Sequence, residues 1–144
     1  MAYSPPQISI KIKNLPQIRA AFSMSPYWMA KHLQYATTQA VFKVKASSMA
    51  RTPVDTGRLQ RSHYHKFFKY SALDFSGEVG TGLPSNPEAY YDVYVHEGTK
   101  YMKKRPYLKE AVESNEAEVE RLYVDAVKHT LEMIGAKVWV LALL

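Results

Sequence analysis

The chain has 144 residues, 47% of them hydrophobic and 22% charged, with no cysteine and a net charge of +6. That composition suits a single folded domain and argues against disorder, while the lack of cysteine excludes a disulfide scaffold and a thiolate metal site. The longest apolar run, Val138 to Leu144, is too short to cross a bilayer, and the first residues lack the basic and then apolar pattern of a secretory signal.

Taken in order, Ile8 to Lys13 alternates strictly between isoleucine and polar residues, which predicts a half-buried strand. Leu15 to Phe22 fits a short helix with Pro16 in its first turn. Ser25-Pro26 predicts the start of a second helix, with Ser25 as N-cap, running to about Arg51. Ala30, Leu33, Thr37, Ala40, Val41 and Val44 recur at spacings of three and four and mark its core stripe. Pro53 disfavours helical geometry at Thr52, so the helix should stop there. His63 to Tyr70 and Phe75 to Thr81 read as two short strands, and 82–89 as a loop carrying two prolines. Tyr90 to His96 alternates and predicts a third strand, closed by Gly98-Thr99, with Tyr91, Val93 and Val95 on one face. A last helix begins at Pro106 and stops at Gly135, with Leu108, Ala111, Val112, Val119, Leu122, Tyr123, Ala126, Thr130 and Ile134 on its core face. The expected fold class is therefore α+β: a small antiparallel β-sheet packed against two long α-helices, one before and one after the strands, with N- and C-terminal extensions. The whole chain reads as one domain. Residues 1–24 form an N-terminal strand and short helix, 25–134 the α-β-α core, and 135–144 an apolar C-terminal tail.

Charge is distributed unevenly. Residues 1–72 carry eleven Lys/Arg against a lone Asp55, whereas residues 110–132 carry seven acids against Arg121 and Lys128. These are either solvated faces or complementary surfaces, between copies of the chain or toward nucleic acid.

Three local signals stand out. Pro53-Val54-Asp55-Thr56-Gly57-Arg58-Leu59 ends a helix, turns at a glycine and re-enters the core at Leu59. Tyr91, Val95, Glu97, Gly98 and Thr99 mark the alternating segment and its turn. Lys103-Lys104-Arg105-Pro106-Tyr107-Leu108 is a basic turn leading into a helix, with Arg105 and Pro106 at its start. Each is common alone. Their order and spacing, with Gly77-Glu78-Val79-Gly80-Thr81 between the first two, resemble the HK97 gp10-like family of phage neck and tail-component proteins over about residues 30–125. The chain departs from that pattern at His96, inserted before Glu97, and at Tyr107, where phenylalanine is common.

The resemblance implies a structural, non-enzymatic virion protein of a tailed bacteriophage. It would form a homo-oligomeric ring, of six subunits, at the head–tail junction, as neck, tail completion or tail terminator protein. Its partners would be neighbouring neck, connector and tail-tube proteins. It would pass through the host cytoplasm during assembly, with no membrane, cofactor or metal involved. Contact with phage DNA in the ring lumen would be non-specific.

A ring subunit needs complementary lateral surfaces. Sheet edges are one candidate. The tail is another: Val138, Trp139, Val140, Leu141, Leu143 and Leu144 either return to their own domain or cover a neighbour. The eleven tyrosines suit core, rim or interface alike. Lys100, Lys103, Lys104 and Arg105 form a basic cluster that is either a solvated loop or a lumen or inter-ring contact with phosphates or acidic partners. Catalytic readings have less to stand on. His63 and His65 would share one strand face, but two imidazoles without a third ligand are a weak metal signal. His96-Glu97 lacks a second histidine four residues on, and no glycine loop leads into a helix as phosphate binding requires. The competing class is a small basic nucleic-acid-binding protein or toxin-like ribonuclease, which charge and size permit and the acidic last helix opposes.

Overall fold

The computed structural model describes residues 15–71, 74–82 and 90–142. The strand expected at 8–13, the loop at 83–89 and the last two residues, Leu143 and Leu144, lie outside the described residues. The architecture is α+β. In order come α1 (Leu15–Ser23), α2 (Ser25–Arg51), α3 (Arg58–Arg61), β1 (Tyr64–Lys69), β2 (Phe75–Gly80), α4 (Asp92–Glu97) and α5 (Tyr107–Ala142).

The two long helices lie against each other along their small residues. Ala30, Ala36, Thr37, Ala40 and Val41 are buried on α2, and Ala111, Ala126, Thr130 and Ile134 on α5. Alanine and threonine let the backbones approach, and hydroxyls then bridge the helices. Thr37 Oγ1 donates to Leu33 O of its own helix at 2.9 Å and accepts from Tyr123 OH at 2.8 Å. Thr130 Oγ1 donates to Ala126 O at 2.9 Å, so it accepts from His32 Nδ1–H, also at 2.9 Å. With Lys43 paired to Glu118, these contacts make α2 and α5 antiparallel, since rising numbers on one meet falling numbers on the other. Part of the charge asymmetry of the sequence is thereby satisfied within one chain.

β1 and β2 form an antiparallel pair in which Tyr64 faces Gly80 and Lys69 faces Phe75. Alternation places His65 and Phe67 of β1 with Phe75, Gly77 and Val79 of β2 on the face toward α2. There Phe42 meets His65 and Phe67 edge-on, at centroid distances of 5.0 and 6.1 Å, and Phe67 stacks on Phe75 at 5.6 Å. β2 crosses α2 so closely that a Cβ on Gly77 would stand 2.3 Å from a Val41 methyl, and only glycine fits. Tyr64, Lys66, Ser76 and Glu78 fall on the other face, as the alternation of both strands predicts.

Three expectations are corrected. Ser25 does not cap α2: Met24 is the N-cap, and Ser25 Oγ donates back to Phe22 O at 2.7 Å. A single residue separates α1 from α2, so the α1 carbonyls are the nearer acceptors. The segment expected as a strand at 90–96 is the short helix α4, with Val95 N–H donating to Tyr91 O and Gly98 N–H to Tyr94 O. Tyr91 and Val95, four apart, reach the core, while Val93, which an alternating strand would bury with them, is exposed. Gly135 does not stop the last helix either. It sits at an exposed position with helical residues on both sides, and α5 continues to Ala142. One helical glycine costs about 1 kcal/mol relative to alanine, too little to break a helix this long.

The remaining boundaries agree with the sequence reading. α2 ends at Arg51, and Thr52 turns extended at ψ 130°, as the following proline requires. The strand expected at 63–70 is β1, and the one at 75–81 is β2, each shorter by a residue or two. Among the described residues no helix is long and apolar enough to cross a membrane.

Candidate functional site

The three signals singled out in the sequence converge on one small cluster. Leu59, just past the Pro53–Gly57 corner, is buried against Tyr107 at the start of α5, with Tyr91 and Val95 of α4 and Leu108 around them. The corner works by backbone geometry. Gly57 has φ 76°, a left-handed value that side chains other than glycine rarely adopt. Thr56 Oγ1 accepts a long 3.5 Å hydrogen bond from Arg58 N–H, and Arg61 closes the turn by donating to Thr56 O at 3.4 Å. Pro53, Asp55 and Thr56 stay at the surface or half-buried, so their part is to shape the turn.

Around this cluster runs a buried polar network. His63 Nδ1–H donates to Gln60 O at 2.9 Å, which leaves Nε2 to accept from Ser48 Oγ at 2.8 Å. Burial lowers the His63 pKa below the ordinary 6.5 and keeps the ring neutral. Ser62 Oγ donates to Leu59 O at 2.7 Å and accepts from Gly82 N–H at 3.0 Å, tying α3 to the end of β2. Thr81 Oγ1 donates to Asp92 Oδ2 at 3.3 Å and accepts from the Tyr107 hydroxyl at 2.9 Å. Burial, first of all, raises the Tyr107 pKa, so the hydroxyl remains a donor.

The Ser48–His63 contact has the letters of a catalytic pair but not the access. Ser48 is 0% exposed and its hydroxyl is held inside the domain. Nor do His63 and His65 share a strand face: His63 precedes β1 and turns inward, while His65 lies in β1 and meets Lys45 Nζ at 3.2 Å. His96 lies beside a recess. Its Nδ1 lies 2.8 Å from Glu97 Oε1, and its Nε2 is buried without a partner among the described residues. That recess, between α4 and the start of α5, holds only about 180 Å³, below the several hundred usual for ligand sites. Among the described residues no three His, Asp or Glu side chains gather as a metal site would need.

The surface is a richer source of candidates. Lys100, Lys103, Lys104 and Arg105 are all exposed on the turn between α4 and α5. The turn is closed by Thr99 N–H donating to Met102 O at 2.8 Å and anchored by Arg105 N–H donating to Val95 O at 2.9 Å. None of the four is in an ion pair among the described residues. Val124, Val127 and Leu131 form a second apolar stripe on α5, at spacings of three and four, beside the stripe that meets α2. Two turns on, Trp139 is 72% exposed and Val140 more than half exposed. The expected apolar tail is thus helical through Ala142, and its Trp139 stands exposed beyond this stripe. On α2, Tyr27, Tyr35 and Phe42 are exposed as well. The sequence reading missed the second α5 stripe, although its spacing was the available signal, because Val124, Val127 and Leu131 alternate with charged residues.

Beside these surfaces, an open groove of about 690 Å³ runs between β2 and α5 over α2. Searches against protein-family models, curated proteins and solved structures find no match for this chain.

Proposed function

We propose that the chain is a structural subunit of a tailed bacteriophage that assembles with copies of itself into a ring at the head–tail junction, as neck, tail completion or tail terminator protein. One observation carries this reading: the folded chain leaves large apolar side chains exposed in an organised stripe on α5, Val124, Val127 and Leu131, with Trp139 exposed two turns on. Scattered apolar residues on a surface are ordinary, but aligned ones on a long helix are characteristic of surfaces that other chains cover. The convergence of the corner, α4 and the α5 start on one cluster supports the resemblance noted in the sequence, because residues related only by spacing then have a common structural task. The burial of Ser48 and His63 favours a structural over a catalytic role for the most enzyme-like contact.

In this reading the basic turn at 100–105 borders the lumen or the next ring, where it meets phosphates or acidic side chains without reading sequence. The same four exposed cations are what a nucleic-acid-binding protein would display, and this second reading makes a separable prediction. A mobility shift with duplex DNA or RNA at moderate salt, abolished by Lys103→Glu with Lys104→Glu while the chain remains monomeric, would favour it.

The direct test of the ring reading is immunogold electron microscopy of tailed particles from a lysate in which the chain is expressed from its own coding region. Label confined to the head–tail junction is expected. Tailed particles that carry no label anywhere would overturn the proposal.

A further inference from the structure

Two features lie far apart along α5. Its N-terminal half walls the groove of about 690 Å³, which is lined by Ala40, Val41 and Val44 of α2, Val79 of β2, and Val112 and Val119 of α5. That volume is in the range of sites that enclose a bulky apolar group. Glu116 and Glu120, one turn apart on α5, also line the groove and are exposed, so an apolar hollow has an acidic rim. The C-terminal end of α5 carries the converse. Trp139 is 72% exposed, Val140 follows it, and Lys137 is exposed three residues before Val140, on the same side of the helix.

We propose that the C-terminal end of α5 in one copy inserts Trp139 and Val140 into this groove on a second copy, with Lys137 toward Glu116 and Glu120. The two surfaces match in chemistry. An indole has a large apolar area to bury and one N–H to satisfy, and the rim carboxylates are acceptors. Like charges one helical turn apart repel each other, so the two glutamates gain from an ammonium placed beside them. Tryptophan in an enclosed apolar site is also the side chain most often found to dominate an interface.

The chain's own Trp139 cannot be the occupant. Tyr123 is the groove residue farthest along α5, and from there to Trp139 the helix is unbroken, a rise of about 24 Å. The knob and the groove are held apart by one rigid rod, and each copy offers one of each. Contacts of this kind are heterologous: they add copies head to tail and close into a ring when the rotation between neighbours allows. The inference deepens the ring reading. It rests on the association of copies and not on their place in a virion.

The test uses the full chain in an equal mixture of ¹⁴N and ¹⁵N copies. A photo-activated cross-linker at Val112, in the groove, should form products with 137–142, and one at Val140 should form products with 40–44, 75–79 or 112–123. Both should join unlike isotopes in the proportion of random pairing. Products joining only like isotopes would put a segment of the same chain in the groove and overturn the assignment. In sedimentation velocity Trp139→Ala should weaken association by about thirtyfold or more. Lys137→Glu should weaken it by about tenfold, and adding Glu116→Lys with Glu120→Lys to that variant should restore it, which a merely destabilised chain would not do. Copies that associate with cross-links elsewhere, or without response to these substitutions, would overturn the groove contact and leave the ring reading standing. A wild type that is monomeric at every concentration would overturn both.

Discussion

The corner around Leu59 and Tyr107 and the outer face of α5 are built on opposite terms. In the corner a large aromatic is almost entirely enclosed, and its hydroxyl has a partner. The nearby donors and acceptors of Ser48, Ser62, His63 and Thr81 are likewise paired within the chain. On the outer face of α5, two valines, a leucine and a tryptophan stand exposed. The first region is satisfied within the chain, and the second is exposed in it. Stability should therefore be concentrated at the corner and association on α5. Substitutions in the two places should separate folding from assembly.

The largest effect is expected at Tyr107. Tyr107→Ala empties the centre of the corner cluster and removes the donor to Thr81, which should cost about 3–5 kcal/mol in a urea titration. Gly57→Val comes next, at about 1–3 kcal/mol, because a β-branched residue is strained at φ 76° and its Cβ would meet the Arg61 guanidinium. A pH titration of unfolding sharpens the same side of the comparison. His63 has a folded pKa below its unfolded value of 6.5, so the unfolded state binds the proton first. Its contribution should be whole above pH 6.5 and decline as the pH falls from there toward the folded pKa. His63→Gln should flatten that slope. The smallest effect on stability is expected on α5. Leu131→Glu with Trp139→Lys should move unfolding by no more than about 0.5 kcal/mol, as exposed substitutions do, while abolishing self-association in sedimentation velocity. A large loss of stability in that double variant would erase the contrast between the two regions.

Much of this division can be read in the sequence, and the failures have physical causes. The α2 stripe, its end before Pro53, and the two short strands at 63–70 and 75–81 were legible because each follows a local rule of spacing, proline geometry or strand composition. The corner was legible through Gly57, whose left-handed backbone only a glycine allows cheaply. The α4 segment was misread because seven residues cannot separate period 2 from period 3.6 when Tyr91 and Val95 satisfy both. Only the tertiary position of Val93, outside the cluster, decides for helix. Gly135 was misread as a stop because a helix glycine is a signal of termination only when the chain adopts a left-handed turn there. The networks of Ser48, Ser62 and Thr81 could not be foreseen, since they join residues whose proximity depends on the fold. The basic turn was legible as a cluster, and its exposure agrees with either of the functions weighed for it.

The most direct test is sedimentation equilibrium of the full chain over a wide concentration range, beside the Leu131→Glu, Trp139→Lys double variant. The account predicts that the wild type converges on one closed species of about six copies, and that the variant stays a folded monomer. A wild type that remains monomeric at the highest concentrations, with Trp139 equally open to solvent quenchers at every concentration, would contradict it.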